Sequence, residues 1–121
     1  MVYEAYESIS VDVSDGVATI TFHRPEKYNA LSTEVYFDLA RAFAEIQLDR
    51  SIDVTVITGE GEKAFCADAD IQQYAGPAEA HDPRQKDRQE FFYEDVYKRV
   101  YDLHCPVIAK INGYCVGGGL I

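Results

Sequence analysis

The sequence of 121 residues has few basic residues, and this shortage limits what the protein can bind. Eleven lysines and arginines stand against 21 aspartates and glutamates, which gives a formal net charge of −10 at pH 7. Because the field of so acidic a protein repels phosphate-rich polymers and anionic lipids, we expect neither nucleic acid nor a membrane surface as a partner. An anionic ligand would need a local cluster of basic side chains.

Long apolar runs, closely paired cysteines and two common catalytic motifs are also missing. No stretch of about 18 apolar residues and no signal-peptide pattern occurs, so we expect a cytoplasmic protein without a membrane span. Cys66, Cys105 and Cys115 are odd in number and lack the spacing of a metal knuckle, which is typical of reduced, buried thiols. The three histidines form no i,i+4 pair and have no cysteines or carboxylates at zinc spacing, so no metal is expected. The absence of G-x-S-x-G and G-K-[ST] excludes the commonest serine-hydrolase and nucleoside-triphosphatase sites.

Hydrophobic periodicity in the first half of the chain predicts strands and one helix of an α/β domain. Apolar and polar residues alternate over residues 9–13 and 17–22, which predicts a β-hairpin. Ser32 is a candidate N-cap for an amphipathic helix over residues 33–48. A β-branched run at residues 54–58 predicts the next strand. Because strand, helix and strand follow in that order, we expect a parallel crossover.

The second half of the chain predicts a helix, a buried strand and a glycine turn. The helix covers residues 88–104, and its core stripe consists of Phe92, Val96, Val100 and Leu103. A near-continuous apolar strand follows at residues 106–111. Asn112, Gly113 and the three glycines at 117–119 then form a turn whose bare backbone could present amide N–H groups to an anionic oxygen. The alternative is that these glycines only allow one backbone to pack closely on another.

Two short patterns permit opposing interpretations. Arg24 and Lys27 form a small basic cluster, which could bind phosphate or lie in a solvated loop. The pattern Gly59-x-Gly61-x-x-Ala64 follows a strand and matches the relaxed dinucleotide-binding fingerprint, but the next residues do not open an amphipathic helix. A dinucleotide-binding oxidoreductase is therefore the least favoured function.

Three segments together resemble the crotonase superfamily, the enoyl-CoA hydratase/isomerase group. They are RPEKYNAL at residues 24–31, VITGEGEKAFCADADI at residues 56–71 and PVIAKINGYCVGGG at residues 106–119. The resemblance implies the family fold, a right-handed spiral of ββα units that assembles as homotrimers or as hexamers made of two trimers. Subunits of the family are longer, so residues 1–121 would form the N-terminal part of one crotonase-like acyl-CoA-binding domain, with the C-terminal remainder absent from this sequence.

The resemblance also implies a site built largely from backbone groups. The family stabilises the enolate-like oxygen of a coenzyme A thioester between two backbone N–H groups, which fall on Ala69 and Gly118. Each such donor contributes roughly 2.7–4 kcal/mol to stabilisation of the transition state. Six positions would contact the coenzyme A moiety: Arg24, Lys27, Ala67, Ala69, Asp70 and Ile71. No permanently bound cofactor is implied, because the coenzyme A thioester is the substrate.

Two positions depart from the family pattern and bear on the reaction. Hydratases of the family have a catalytic glutamate where this chain has Ile121, and isoleucine cannot transfer protons. Asp68 stands where glycine is common, and its charge would repel an enolate about 6 Å away by roughly 3 kcal/mol at an effective dielectric of about 20. We therefore expect a lyase or isomerase of fatty acid metabolism that isomerises the double bond of an enoyl-CoA or hydrates it by a divergent mechanism. The alternative class is a non-catalytic acyl-CoA-binding or assembly homologue.

Overall fold

The described part of the chain forms a mixed four-stranded sheet, a separate parallel pair of short strands and two helices. The computed structural model describes residues 6–24, 29, 31–67 and 94–116. The elements in these ranges are β1 (Ile9–Ser14), β2 (Val17–Phe22), α1 (Thr33–Leu48), β3 (Val54–Gly59), β4 (Ala64–Ala67), α2 (residues 94–101), β5 (Val107–Lys110) and β6 (Tyr114–Val116). One sheet has the strand order β1-β2-β3-β5, and β4 and β6 form a separate pair.

β1 and β2 form the predicted hairpin. Their antiparallel register begins with Ile9 opposite Phe22. The turn residues Asp15 and Gly16 have positive φ angles of 51° and 80°, and two-residue hairpin turns of one common type require positive φ at both positions. Aspartate and glycine tolerate this backbone better than most residues, so the Asp-Gly pair fixes where the chain reverses.

α1 has the predicted limits and the predicted N-cap. The hydroxyl of Ser32 accepts a hydrogen bond from the Val35 N–H at 3.3 Å, which satisfies one donor at the start of the helix. The buried hydrophobic side chains of the helix are Val35, Tyr36, Leu39, Ala42, Phe43 and Ile46. Burial of each large apolar side chain stabilises the fold by roughly 1.5–3 kcal/mol. No helix in the described ranges has the length and apolarity that a membrane crossing requires.

α1 connects β2 to β3 as the parallel crossover expected from the order of elements. β2 pairs with β3 in parallel, and β3 pairs with β5 in parallel. The side chains packed at the centre include Ile20, Phe43, Ile46 and Ile52, each at most 1% exposed. The carboxyl ends of β2, β3 and β5 therefore meet at one edge, which is where ligands bind in open parallel sheets.

The parallel pair of β4 and β6 was not predicted from the sequence. The two strands are four and three residues long, too short to show a period, and each pairs with a segment distant in sequence, as in Ala64 opposite Tyr114. Residues 112–119 are therefore not one continuous turn, since β6 lies within them. β4 also occupies the place where a dinucleotide-binding fold would open a helix, so that alternative is excluded.

α2 is confirmed for residues 94–101, while residues 88–93 of the predicted helix lie outside the described ranges. The extension to residue 104 is wrong. The His104 N–H donates to Oε1 of Gln47 at 2.8 Å, and the His104 ring nitrogen Nε2 lies 3.0 Å from the Ile46 carbonyl oxygen. These contacts hold the chain against the end of α1, and Pro106 disfavours helical backbone at the residue before it. The predicted strand at residues 106–111 is confirmed in its central part, as β5. Its expected burial is wrong, because β5 is the last strand in the order β1-β2-β3-β5 and Ile108 is 52% exposed.

Candidate functional site

Two chain segments run side by side and pair twice. The first segment is β3, residues 60–63 and β4, and the second is β5, residues 111–113 and β6. The partners are 52 residues apart at Thr58 and Lys110 but 49 apart at Ala67 and Val116. The first segment therefore carries three more residues than the second between these two pairs, two of them before Ala64 and one at the register shift between Ala64 and Cys66. Both segments leave the large sheet at its carboxyl edge and enter the small sheet together.

The side chain of Asn112 connects the two segments where they change sheets. Its Nδ2 donates to the carbonyl oxygens of Gly59 at 2.8 Å and of Gly61 at 2.7 Å, and the Gly59 N–H donates to its Oδ1 at 3.3 Å. The Tyr114 N–H also donates to the Lys63 carbonyl oxygen at 3.0 Å. The side chain of Asn112 thus binds the start and the middle of a turn on the neighbouring segment, and the Tyr114 N–H binds its end.

Glycine is required at two positions of this junction because backbone packs directly on backbone. A Cβ atom on Gly59 would lie 2.5 Å from the Phe65 carbonyl oxygen and 2.7 Å from that of Ala64. A Cβ atom on Gly113 would collide with the Lys63 carbonyl group. For Gly113 the close-packing interpretation of the glycine turn is therefore confirmed, while Gly117, Gly118 and Gly119 lie outside the described residues.

A second asparagine, Asn29, connects the basic cluster to the same junction. It is buried and has a φ of 54°, a left-handed conformation that asparagine tolerates. The Arg24 N–H donates to its Oδ1 at 3.0 Å, and its Nδ2 donates to the carbonyl oxygens of Glu60 at 3.2 Å and Ala64 at 2.9 Å. The half-buried Arg24 is thereby placed beside the turn of the first segment. Lys27 lies outside the described residues.

Sequence reasoning missed the roles of both asparagines. Their partners lie up to 35 residues away for Asn29 and 53 for Asn112, so no local pattern shows the contacts. The local signals were the Asn112-Gly113 pair, which is typical of turns, and for Asn29 the tolerance of asparagine for positive φ in a turn. An exposed pair, His23 Nδ1 and Glu60 Oε2 at 2.6 Å, lies next to the same turn.

Two of the site residues predicted from the sequence lie in the described ranges, Arg24 and Ala67. Ala67 is the last residue of β4 and pairs with Val116, the last residue of β6. The remaining predicted positions lie outside the described residues: Ala69, Asp70, Ile71 and Gly118, with the two departures Asp68 and Ile121. In sequence, Ala69 and Gly118 each follow the Ala67–Val116 pair by two residues.

An apolar cavity of about 260 Å³ lies beside the small sheet. Its lining includes Phe22, Ile57, Phe65, Cys66, Val96 and Cys115. Cys66 and Cys105 are buried thiols, as predicted, whereas Cys115 is only half-buried, so the expectation of burial was wrong there. The cavity is lined by residues of α1 and α2 and of the strands that carry the two segments.

Comparison with known proteins identifies the family. Residues 12–121 match the family model described as enoyl-CoA hydratase/isomerase. The chain belongs to the enoyl-CoA hydratase/isomerase family. It is 38% identical over 114 residues to an (E)-benzylidenesuccinyl-CoA hydratase of Thauera aromatica, covering 93% of this chain and 42% of that protein. It is 37% identical over 113 residues to 4-chlorobenzoyl coenzyme A dehalogenase-2 of an Arthrobacter species, with coverage of 93% and 40%.

Solved structures of the family confirm the crotonase fold for this chain. An enoyl-CoA hydratase from Bacillus anthracis superposes with a TM-score of 0.84 at 32% identity, covering 93% of this chain and 43% of that one. An enoyl-CoA hydratase/carnithine racemase from Magnetospirillum magneticum gives a TM-score of 0.86 at 35% identity, with coverage of 96% and 43%. The chain spans about two-fifths of the length of the relatives it matches, and corresponds to the N-terminal portion of their fold.

Proposed function

We propose that the protein binds an acyl-CoA thioester and stabilises its enolate-like oxygen between the backbone N–H groups of Ala69 and Gly118. The observation that carries this proposal is the parallel pairing of Ala67 with Val116 at the ends of β4 and β6. Neighbouring strands lie about 4.8 Å apart, and two residues extend a chain by at most about 7 Å. Chain connectivity therefore keeps both proposed donors close to the same strand ends.

A pair of backbone donors suits the chemistry of a thioester enolate. Fixed N–H groups aimed at an oxygen that becomes negative stabilise the transition state more than the ground state, and they need no reorganisation during the reaction. Their position depends on the backbone that carries them rather than on side-chain rotamers. The close packing of Gly113 on the Lys63 carbonyl group makes that backbone rigid at its base.

The apolar cavity supports an apolar acyl group as the other part of the ligand. Cys66 and Cys115 are register partners in the small sheet, and both line the cavity. The acyl chain of a thioester held near the strand ends would therefore have an apolar volume of about 260 Å³ within reach. The half-buried Arg24, held by Asn29 at the same edge, supports a contact with the phosphates of coenzyme A, together with Lys27, Ala67, Asp70 and Ile71.

The reaction that we propose is double-bond isomerisation, or divergent hydration, of an enoyl-CoA. Isomerisation needs one base that removes a proton from one carbon and returns it to another, and an apolar Ile121 is compatible with it. The relatives carry out more than one reaction by their names, a hydratase and a dehalogenase, so the family alone does not select among them. Assembly of the whole protein as a trimer or hexamer belongs to the same proposal.

The test is to bind butyryl-CoA, labelled with ¹³C at the thioester carbonyl, to the whole protein. We expect calorimetry to show binding and infrared difference spectra to show a carbonyl stretch at lower frequency than in water, because two donors polarise the C=O bond. Absence of binding would remove acyl-CoA as the ligand. Binding without a carbonyl shift, together with no turnover of enoyl-CoA, would support the acyl-CoA-binding or assembly homologue instead.

Charge reversal of the basic cluster is expected to weaken binding. The variant Arg24→Glu/Lys27→Glu should lose about ten-fold or more in affinity for butyryl-CoA at low salt, since a hydrogen bond to a charged group contributes about 1.5–3 kcal/mol. The loss should shrink as salt screens the phosphates. Calorimetry at two ionic strengths measures it. The matched control, Arg50→Glu/Lys98→Glu, changes the net charge equally at two exposed positions away from the junction. Equal losses in both variants would show that overall charge, not this cluster, controls binding.

A further inference from the structure

Asn112 lies at the point where the two paired segments have unequal lengths. Between the Thr58–Lys110 pair and the Ala64–Tyr114 pair the first segment has two extra residues, which lie in the turn from Gly59 to Lys63. A third extra residue follows at the register shift between Ala64 and Cys66. The three hydrogen bonds of the Asn112 side chain all go to this turn, at its start and at its middle. The asparagine therefore sets how the extra residues are folded before β4 begins.

The position of β4 along β6 depends on the shape of that turn. β4 follows the turn directly, and β6 follows Asn112 after a single glycine. The residues before the turn are fixed to β5, because the Thr58 hydroxyl donates to the Lys110 carbonyl oxygen at 3.0 Å. A change in the shape of the turn would therefore move β4 relative to β6. Both proposed donors lie two residues beyond these strands, so such a shift would change the distance between them.

We infer that Asn112 is a positioning residue that holds the two proposed oxyanion donors, the N–H groups of Ala69 and Gly118, at the separation a thioester oxygen requires. The inference rests on the proposed function. Asn112 acts through the turn it binds and not through contact with the substrate. A misplacement of about 1 Å in a reacting geometry can lower the rate about 10²-fold. Binding of coenzyme A, which involves Arg24 on the Asn29 side of the junction, should depend on Asn112 much less.

The experiment compares the wild-type whole protein with Asn112→Ala and Asn112→Ser, using the ¹³C-labelled butyryl-CoA and a turnover assay with an enoyl-CoA. Serine supplies one hydroxyl in place of the amide, which cannot bind both carbonyl oxygens and the Gly59 N–H together, so it is a milder variant if alanine prevents folding. We expect kcat to fall about 10²-fold, KM to change only a few-fold, and the carbonyl frequency to move back toward its value in water.

Ser8→Ala is the matched control for simple loss of stability. Ser8 is buried, and its hydroxyl donates to Oδ2 of Asp38 at 2.6 Å, between the start of β1 and α1. Its loss should lower the melting temperature without changing the carbonyl frequency. If a folded Asn112 variant keeps the wild-type frequency and kcat, or if Ser8→Ala shifts the frequency as much, the positioning role is overturned. A wild-type protein that binds the ester without any carbonyl shift overturns the proposed function itself, which separates the two failures.

Discussion

Replacing the backbone N–H of Gly118 with an ester oxygen is expected to lower kcat by about 10²–10³-fold, the loss typical for one oxyanion donor. The same loss is expected when lactic acid replaces Ala69. KM should change little, because the donor acts mainly on charge that develops in the transition state. Semisynthesis of the whole protein with glycolic acid at position 118 leaves the side chain unchanged. Steady-state kinetics with an enoyl-CoA then gives kcat and KM separately.

An ester at Gly117 provides the control for this experiment. It removes a neighbouring amide of the same glycine run that we do not assign to the donor pair, so its effect on kcat should be much smaller. If esters at Ala69 and Gly118 both leave kcat within a few-fold of the wild-type value, the two-amide oxyanion hole is wrong. A large loss at Gly117 alone would place the donor one residue earlier than proposed.

Replacing Ile121 with glutamate is expected to raise the hydration of a 2-enoyl-CoA by up to about 10²–10⁴-fold, the usual contribution of a general acid–base group. The wild-type protein should shift double bonds but hydrate poorly, because isoleucine cannot orient water or transfer a proton. The measurement is loss of absorbance of the conjugated enoyl thioester. If apolar surroundings raise the pKa of the new carboxyl, the gain should increase with pH as the carboxylate forms.

Ile121→Gln separates acid–base chemistry from polarity at this position. Glutamine has nearly the same size as glutamate and can hydrogen-bond to water, but it does not accept a proton. It should therefore leave hydration near the wild-type rate. Efficient hydration by the wild-type protein would overturn the proposal of a single acid–base residue, and an equal gain with glutamine would assign the effect to solvation.

The sequence predicted those elements whose pattern is local. The hairpin at Asp15-Gly16 and α1 after Ser32 follow from turn chemistry, capping and periodicity, each contained within a few neighbouring residues. The small sheet could not be found in this way, because β4 and β6 are too short to show a period. The end of α2 at residue 101 rather than 104 shows the same limit. His104 forms hydrogen bonds with Gln47 and Ile46 of α1, which are distant in sequence, and it does not continue the helix.

The candidate site was predictable only in part for a related reason. The family resemblance indicated which segments contribute, and the structure connects Arg24 through Asn29 to β4, the strand that ends at Ala67, at the carboxyl edge of the large sheet. The hydrogen bonds that hold this edge together come from Asn29 and Asn112, whose partners are distant in sequence. An asparagine beside a turn has many possible roles, and only the folded chain shows which carbonyl groups it binds.

The double pairing of the two segments also has a consequence for how the chain folds. Pairing Thr58 with Lys110 closes a loop of 52 residues, and the length-dependent entropy of that closure costs about 3.5 kcal/mol. Once β3 and β5 have paired, the ends of β4 and β6 are already neighbours, so the small sheet forms with almost no further loop entropy. The strand ends next to the proposed donors are therefore brought together by the same long-range closure that completes the large sheet.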